Sequence, residues 1–361
     1  FLFAWVVLFV ISTGAAAVVA EFCARQIGIL GWGAGGAPES ATRAIGAAIL
    51  VGVTALAFTG LKRGAMFQNV CMVLKLLAIG AFAVAGVALF DPGSAVPAAA
   101  TAADAAPSLA EGMMRAALPV LFAYGGWQYV TYIAPHIVNP QRTLPRSILI
   151  GVIGVVVVYL AANFAYVHVL GMDGLAHTED FAAEMARRTF GDVGGTVLVA
   201  AMAISSLGVC TAILISTPGV YVAMAKEGLF FETFGRLHPR TGAPVAALAL
   251  QLTIALGYYA WGRAGTLVDA VVFAEWIFHA LVGLALLKLR RLRPELPRPF
   301  KSWAYPLFPA LYVLLACAVV VGSLITAERD RTLLGLSVLA VGLAVYAPWR
   351  RVMAQYVRNE S

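Results

Sequence analysis

Residues 121–140 read LFAYGGWQYVTYIAPHIVNP. The stretch is apolar and about as long as a bilayer-spanning helix, which takes roughly 20 residues. It nevertheless places Gly125 beside Gly126 and carries Pro135 and Pro140 further on. Each glycine costs a helix interior roughly 1 kcal/mol relative to alanine. A bare glycine pair reads first as a packing device, because small residues let membrane helices approach closely. The surroundings argue for more. Phe122, Tyr124 and Trp127 bracket the pair, the polar Gln128 follows at mid-span, and Pro135 and Asn139-Pro140 end the segment. A backbone that unwinds there exposes amides and carbonyls that lipid does not tolerate unless they line a cavity. Secondary transporters build substrate sites from helices broken at mid-membrane in this way. The expectation is an interrupted hydrogen-bond ladder within residues 122–128, with the carbonyls of Phe122, Ala123 or Gly125 lacking helical partners.

The remainder of the chain belongs in lipid. Of 361 residues, 61% are hydrophobic and 12% charged, against about 25% charged in an average soluble domain. Nine long uncharged runs, from Phe1–Ala20 to Thr332–Trp349, and a tenth over Gly265–Leu287 that carries two acids predict ten transmembrane helices. The fold class expected is therefore an all-α multi-pass membrane protein in a single domain over 1–361. With Phe1 on the cytoplasmic side, the inner loops and tail hold 16 basic residues against four acids, and the outer side holds eight against twelve. This bias puts both termini in the cytoplasm of a cell-membrane protein. It also accounts for the net charge of +7 without nucleic acid, since the basic residues are scattered loop anchors. The start at Phe1, inside a hydrophobic run without a charged flank, is expected of a fragment more than of a cleaved signal peptide.

Between spans, DPGSAVPAAATAADAAPSLAE (91–111) suits a surface loop, and Phe181, Ala182 and Met185 suit a short amphipathic helix on the outer face. Cys23, Cys71, Cys210 and Cys317 stand singly, as small packing residues. His279 reads as a core histidine, with no second metal-binding residue at helical spacing, and neither metal nor cofactor is expected. The chain has no HExxH or GxSxG, and an enzyme is not expected.

Two ionisable residues lie deep in spans. Lys75 is near the bilayer centre, where a charged lysine costs on the order of 2.5–3.5 kcal/mol and the interface is about 15 Å away. Glu275 is about ten residues into its helix. Both mark function by default, with a carbonyl-bonded structural lysine and a polar-paired glutamate as the bland alternatives.

Four stretches carry a resemblance that covers nearly the whole chain. FAYGGWQYVTY with NPQRTLPRS, GAMFQNVCMVLKLLAIG, AISSLGVCTAILISTPGVYVAMAKEGLFF and VVFAEWIFHALVGLALLKLRRLRPELPRPFKSWAYPLFP resemble, in order, the sixth, fifth, eighth and tenth-to-eleventh helices of the amino acid-polyamine-organocation superfamily. The L-type and bacterial amino acid permease branches are the nearest. The resemblance implies a five-plus-five inverted-repeat fold in which the ten helices are numbers three to twelve. Residues 1–90 then complete the first repeat, 112–288 form the second, and 302–349 add two accessory helices. It implies that the carbonyls of Phe122, Ala123 and Gly125 accept from the substrate ammonium and that Phe122 gates the pocket. Tyr124 lies within the same unwound stretch, Gly126 lets the chain turn, and Trp127 and Gln128 begin the second half-helix. It also implies a coupling role for Lys75, beside Ser205 and Ser206, where sodium-dependent relatives bind the cation. The family often has acids where this chain has Pro135 and His136, and an arginine where it has Gly219. The resemblance suggests that these positions face one another at a gate and that both charges were lost together.

The function expected is secondary active transport of amino acids by alternating access, as a symporter using protons or as an exchanger with a counter-transported amino acid. Polyamine or cationic amino acid antiport is the alternative within the class, with Glu275 as the pocket acid. A non-transporting membrane sensor of amino acids is the alternative outside it.

Overall fold

The computed structural model describes residues 1–33, 35–89, 112–113, 116, 120–121, 123–177, 181–261, 267–298, 300–302, 304–326, 335–346 and 348–349. Among these no strand is present. Helix α1 (Leu2–Trp32) contains a π-helical turn at Val7–Ile11 and stops at Gly33, whose φ of 84° only glycine adopts freely. Helix α2 (Glu39–Phe58) follows Pro38 and ends before Gly60. Next come α3 (Leu61–Leu89) and the four-residue α4 (Tyr129–Tyr132). The long α5 (Pro140–His177) and α6 (Phe181–Ser216) are each interrupted by a left-handed glycine, Gly171 at φ 68° and Gly191 at φ 66°. Helices α7 (Pro218–Lys226), α8 (Val245–Ala260), α9 (Leu267–Leu292), α10 (Leu307–Thr326) and α11 (Gly335–Tyr346) complete the order.

Seven helical spans among the described residues are long and apolar enough to cross a membrane, with α6 and α7 counted as one. The ten expected spans are therefore not all single long helices. Helices α8 and α11 are apolar but shorter, and the span expected over 116–135 falls on a partly described segment that holds the break. The amphipathic helix expected at Phe181 is the first part of α6, up to Gly191. Its Met185 and Ala186 are buried against Phe82, Val169 and Leu170.

Small residues bring the helices together. Ala15, Ala16, Ala17 and Ala20 of α1 pack on Cys210, Ile213 and Leu214 of α6, and the Cys23 thiol donates to the Ala203 carbonyl at 3.4 Å. Membrane helices gain by such close approach, since lipid offers no hydrophobic drive between them. Helices α3 and α6 run antiparallel with a glycine at each crossing. A Cβ on Gly64 would stand 2.2 Å from Ile215 Cδ1, and one on Gly208 would stand 2.7 Å from Cys71 Cβ. That register matters for the site, because Lys75 is one turn beyond Cys71 and Ser205 is about one turn before Gly208. Packing at the glycine thus delivers the lysine to the serines.

Around the π-turn, Val6, Val7, Leu8, Val10 and Ile11 are buried against Tyr221, Ala247, Val271, Ala274 and Phe278. The wider turn leaves carbonyls outside the regular ladder. Tyr258 donates its hydroxyl to the Phe9 carbonyl, and Thr13 donates to the Leu8 carbonyl at 2.6 Å.

Candidate functional site

The helix around Gly125 and Gly126 is broken. Tyr124 N donates to the Val120 carbonyl at 3.0 Å in a helical bond, residues 124–128 form a turn, and the helix resumes only at Tyr129. Gly126 makes the turn, at φ +96°. Its amide donates to Oε1 of Gln128 at 3.0 Å, and its carbonyl accepts from Tyr129 N at 3.1 Å. A side chain that takes a backbone amide two residues back competes with the helical ladder. Trp127 accordingly lies within the turn, and Gln128, with helical backbone angles, is the N-cap of the second half-helix. Phe122 lies outside the described residues. The Ala123 carbonyl accepts from the Tyr159 hydroxyl of α5 at 3.1 Å, a partner that the sequence did not announce.

A methyl group on Gly126 would meet only the Tyr129 ring, at an ordinary 3.6 Å. The constraint there is conformational, not steric. Gly126→Ala is expected to cost about 1–2 kcal/mol, the penalty of left-handed backbone for a residue with a Cβ. Gly151→Ala, in regular helix with open space around it, should be neutral or stabilising. Thermal unfolding of the two variants in detergent checks the opposite signs.

Three further groups of side chains come together. Lys75 from α3 and Ser205 and Ser206 from α6 line one cavity of about 450 Å³, which apolar residues of α1 and α5 such as Val18, Phe22 and Ala162 also line. The Ser206 hydroxyl is engaged with its own helix, at the Met202 and Ala203 carbonyls, 2.8 and 3.0 Å away. Glu275 is not part of this cavity. It faces the broken turn from α9, where its Oε1 accepts from Gln128 Nε2. Gly219 is pressed against the second half of the broken segment, where a Cβ on it would lie 2.4 Å from the Tyr132 carbonyl oxygen. Pro135 and His136, three and four residues beyond Tyr132, are exposed in the 3-10 turn Ala134–His136. The glycine at 219 therefore has a packing reason of its own, close approach of two backbones, independent of any lost ion pair.

A broken helix with a left-handed glycine at the break, set among apolar spans, belongs to a narrow class of membrane folds. The profile of the family described as Amino acid permease matches residues 1–343. The chain belongs to the amino acid permease family. It is a multi-pass membrane protein, of a family of transporters and not of enzymes.

This permease is 27% identical over 330 residues to the serine/threonine exchanger SteT of Bacillus subtilis, covering 90% of the chain and 72% of that protein. It is 27% identical over 313 residues to the large neutral amino acids transporter small subunit 2 of Rattus norvegicus, covering 86% of the chain and 58% of the relative. It is also 24% identical over 351 residues to the b(0,+)-type amino acid transporter 1 of Mus musculus, covering 96% and 70%. The permease chain thus spans less than two thirds of the length of the rat relative.

Around the break, the permease adds residues that sequence alone did not single out as a group. The Trp127 ring stacks on His279 with centroids 5.4 Å apart, and Trp276 and Tyr312 meet the same imidazole edge-on at 5.4 and 6.1 Å. Tyr124 packs edge-on against Tyr159 at 5.2 Å. The expectation that no ligand-type residue stands at helical spacing from His279 is corrected by Glu275, four residues before it on α9, whose Oε1 is 4.0 Å from Nε2 of the imidazole.

Proposed function

We propose that the chain serves secondary transport, moving amino acids across the cell membrane by alternating access, as a symporter or an exchanger. The observation that carries the reading is the break at 124–128, a stretch of non-helical backbone in an apolar segment of a chain of the amino acid permease family. Such backbone offers amides and carbonyls to a zwitterion, which needs both donors and acceptors out of water. On this reading the carbonyls of Phe122, Ala123 and Gly125 receive the substrate ammonium. The ten spans correspond to helices three to twelve of the inverted-repeat fold, with both termini in the cytoplasm. The names of the relatives support amino acids as the substrate class and exchange as one mode, since one is a serine/threonine exchanger and another a large neutral amino acids transporter.

A second reading, antiport of a cationic amino acid or a polyamine, has one observation in its favour: the carboxylate of Glu275 beside the turn. That carboxylate is already engaged by Gln128, which favours a zwitterionic substrate over one needing the acid for itself. Uptake of radiolabelled neutral, cationic and acidic amino acids into proteoliposomes holding the full-length protein tests the proposal. Neutral amino acids should accumulate, faster when the lumen is preloaded if exchange operates. Binding without accumulation for every substrate would indicate a sensor and reject transport.

A further inference from the structure

Glu275 and His279 sit one turn apart on α9, with Nε2 of the imidazole 4.0 Å from Oε1 of the carboxylate. Their side chains are only 15% and 14% exposed. Neither is paired with a lysine or arginine among the described residues. The groups that face them from neighbouring elements are neutral: Gln128 and Trp127 from the turn, Tyr129 and Tyr132 from α4, and Tyr312 from α10. Helix α1 presents Phe3 to Phe278 at 5.2 Å. The side chain of Asp269, earlier on α9, is outside the described residues. Lys75 lines the separate cavity on α3.

Two titratable groups of opposite sign in such surroundings have one form without net charge, that with a single proton between them. Losing that proton leaves a bare negative charge in the low-dielectric interior, and gaining a second leaves a positive one. The pair is also wired to the break. Gln128 accepts from the Gly126 amide with Oε1 and donates with Nε2 to Glu275. A hydrogen bond to an ionised carboxylate is roughly twice as strong as one to a neutral acid. The position of the proton, on His279 or on Glu275, therefore changes how firmly Gln128, and through it the Gly126 amide, is held.

We propose that Glu275 and His279 form a single-proton binding site whose occupancy is transmitted to the broken turn through Gln128. This deepens the reading of the turn as the substrate site, since it makes the turn sensitive to a proton bound outside the Lys75 cavity. The step is a proton transfer between a carboxylate oxygen and an imidazole nitrogen, exchanging with water when the site opens, with no other bond made or broken.

The test uses the purified full-length protein in nanodiscs and two readouts, neither of which needs transport. A protonated imidazole quenches an indole in contact with it, so Trp127 and Trp276, each with its ring centroid 5.4 Å from that of His279, report the site. Tryptophan emission of wild type is expected to fall on acidification between pH 8 and 5.5, and His279→Gln should lose that fall. The double variant Trp127→Phe/Trp276→Phe, which removes both reporters and leaves the pair intact, should lose it too and covers the case in which His279→Gln fails to fold. Glu275→Gln should change the wild-type curve. Amide exchange of the peptide over residues 123–133, corrected for its intrinsic pH dependence, should differ on the order of tenfold between the two pH values in wild type. In Gln128→Leu that difference should vanish while the fluorescence change remains. Identical curves for wild type and both His279→Gln and Trp127→Phe/Trp276→Phe would overturn the site. An unchanged curve in Glu275→Gln would overturn the pairing, and pH-dependent exchange persisting in Gln128→Leu would overturn the transmission. A protein that passes these tests yet moves no amino acid would refute the transport function and leave this inference standing.

Discussion

Lys75→Ala is expected to abolish or uncouple amino acid uptake by the full-length protein while leaving its membrane insertion intact. The lysine lies inside an apolar span and opens into a cavity of about 450 Å³ whose other polar lining includes Ser205 and Ser206. A charged lysine held at that depth costs on the order of 2.5–3.5 kcal/mol on insertion scales, so its removal should ease insertion. On the proposed transport function, the substitution removes a cation that would bond carbonyls in one state of the carrier and release them in the other. One charge-assisted bond contributes about 1.5–3 kcal/mol, which corresponds to roughly a 10- to 150-fold bias between states. Initial uptake rates across a pH series in proteoliposomes check the expectation, with protein per vesicle quantified by immunoblot. Wild-type rates and an unchanged pH dependence in Lys75→Ala would reject the coupling role.

Gly219→Leu should be at least as damaging, through sterics alone. Gly219 is the second residue of α7, and a Cβ there would sit 2.4 Å from the Tyr132 carbonyl oxygen. The clashing atom is backbone, so no rotamer change relieves it, and α4 and α7 have to separate. Overpacking of this kind typically costs 1–3 kcal/mol and occasionally more. We expect about 3 kcal/mol, seen as a lower thermal midpoint and reduced yield of monodisperse protein. Gly219→Ala should show most of the effect, because the first added carbon already collides. Gly257→Ala, at a glycine of α8 with nothing within 4 Å, is the matched control and should behave as wild type. A wild-type midpoint for Gly219→Ala would show that the two segments do not pack this closely.

What was legible in the chain depended on how local the cause was. The break at Gly126 could be read because a glycine pair among aromatics is costly in a membrane helix, and the price of a Cβ at positive φ is set by that one residue. Lys75 stood out because a cation inside an apolar run has few explanations. The membrane class followed from composition alone. The tertiary partners did not. Tyr159 lies in VVVVYLAANFAY, where an aromatic is ordinary, and nothing before folding says that its hydroxyl ends on the Ala123 carbonyl. The same holds for Gly219, whose absent side chain looks alike whether the reason is a lost charge or a neighbouring backbone. The run over 116–135 was legible as apolar length but not as a segment divided between a turn and a four-residue helix, because hydropathy does not register where the ladder is cut.

The π-turn at Val7–Ile11 keeps two seams of α1 on their partners. Before and within it, Val6, Val7, Val10 and Ile11 are buried with Tyr221, Val271 and Phe278, and after it, Ala15 to Ala20 are buried with Cys210 and Leu214 of α6. The wide turn absorbs one extra residue with little net rotation, so the two halves keep the phase of a regular helix one residue shorter. Forcing all five residues of 7–11 into regular helix would rotate one half against the other by about 100°. Either the alanine seam or the valine seam would then turn away from its partners. A one-residue deletion within the turn that restores regular helix is absorbed there, whereas a one-residue deletion in the regular helix between the seams re-indexes one of them, so the turn is the place where α1 tolerates a change of length.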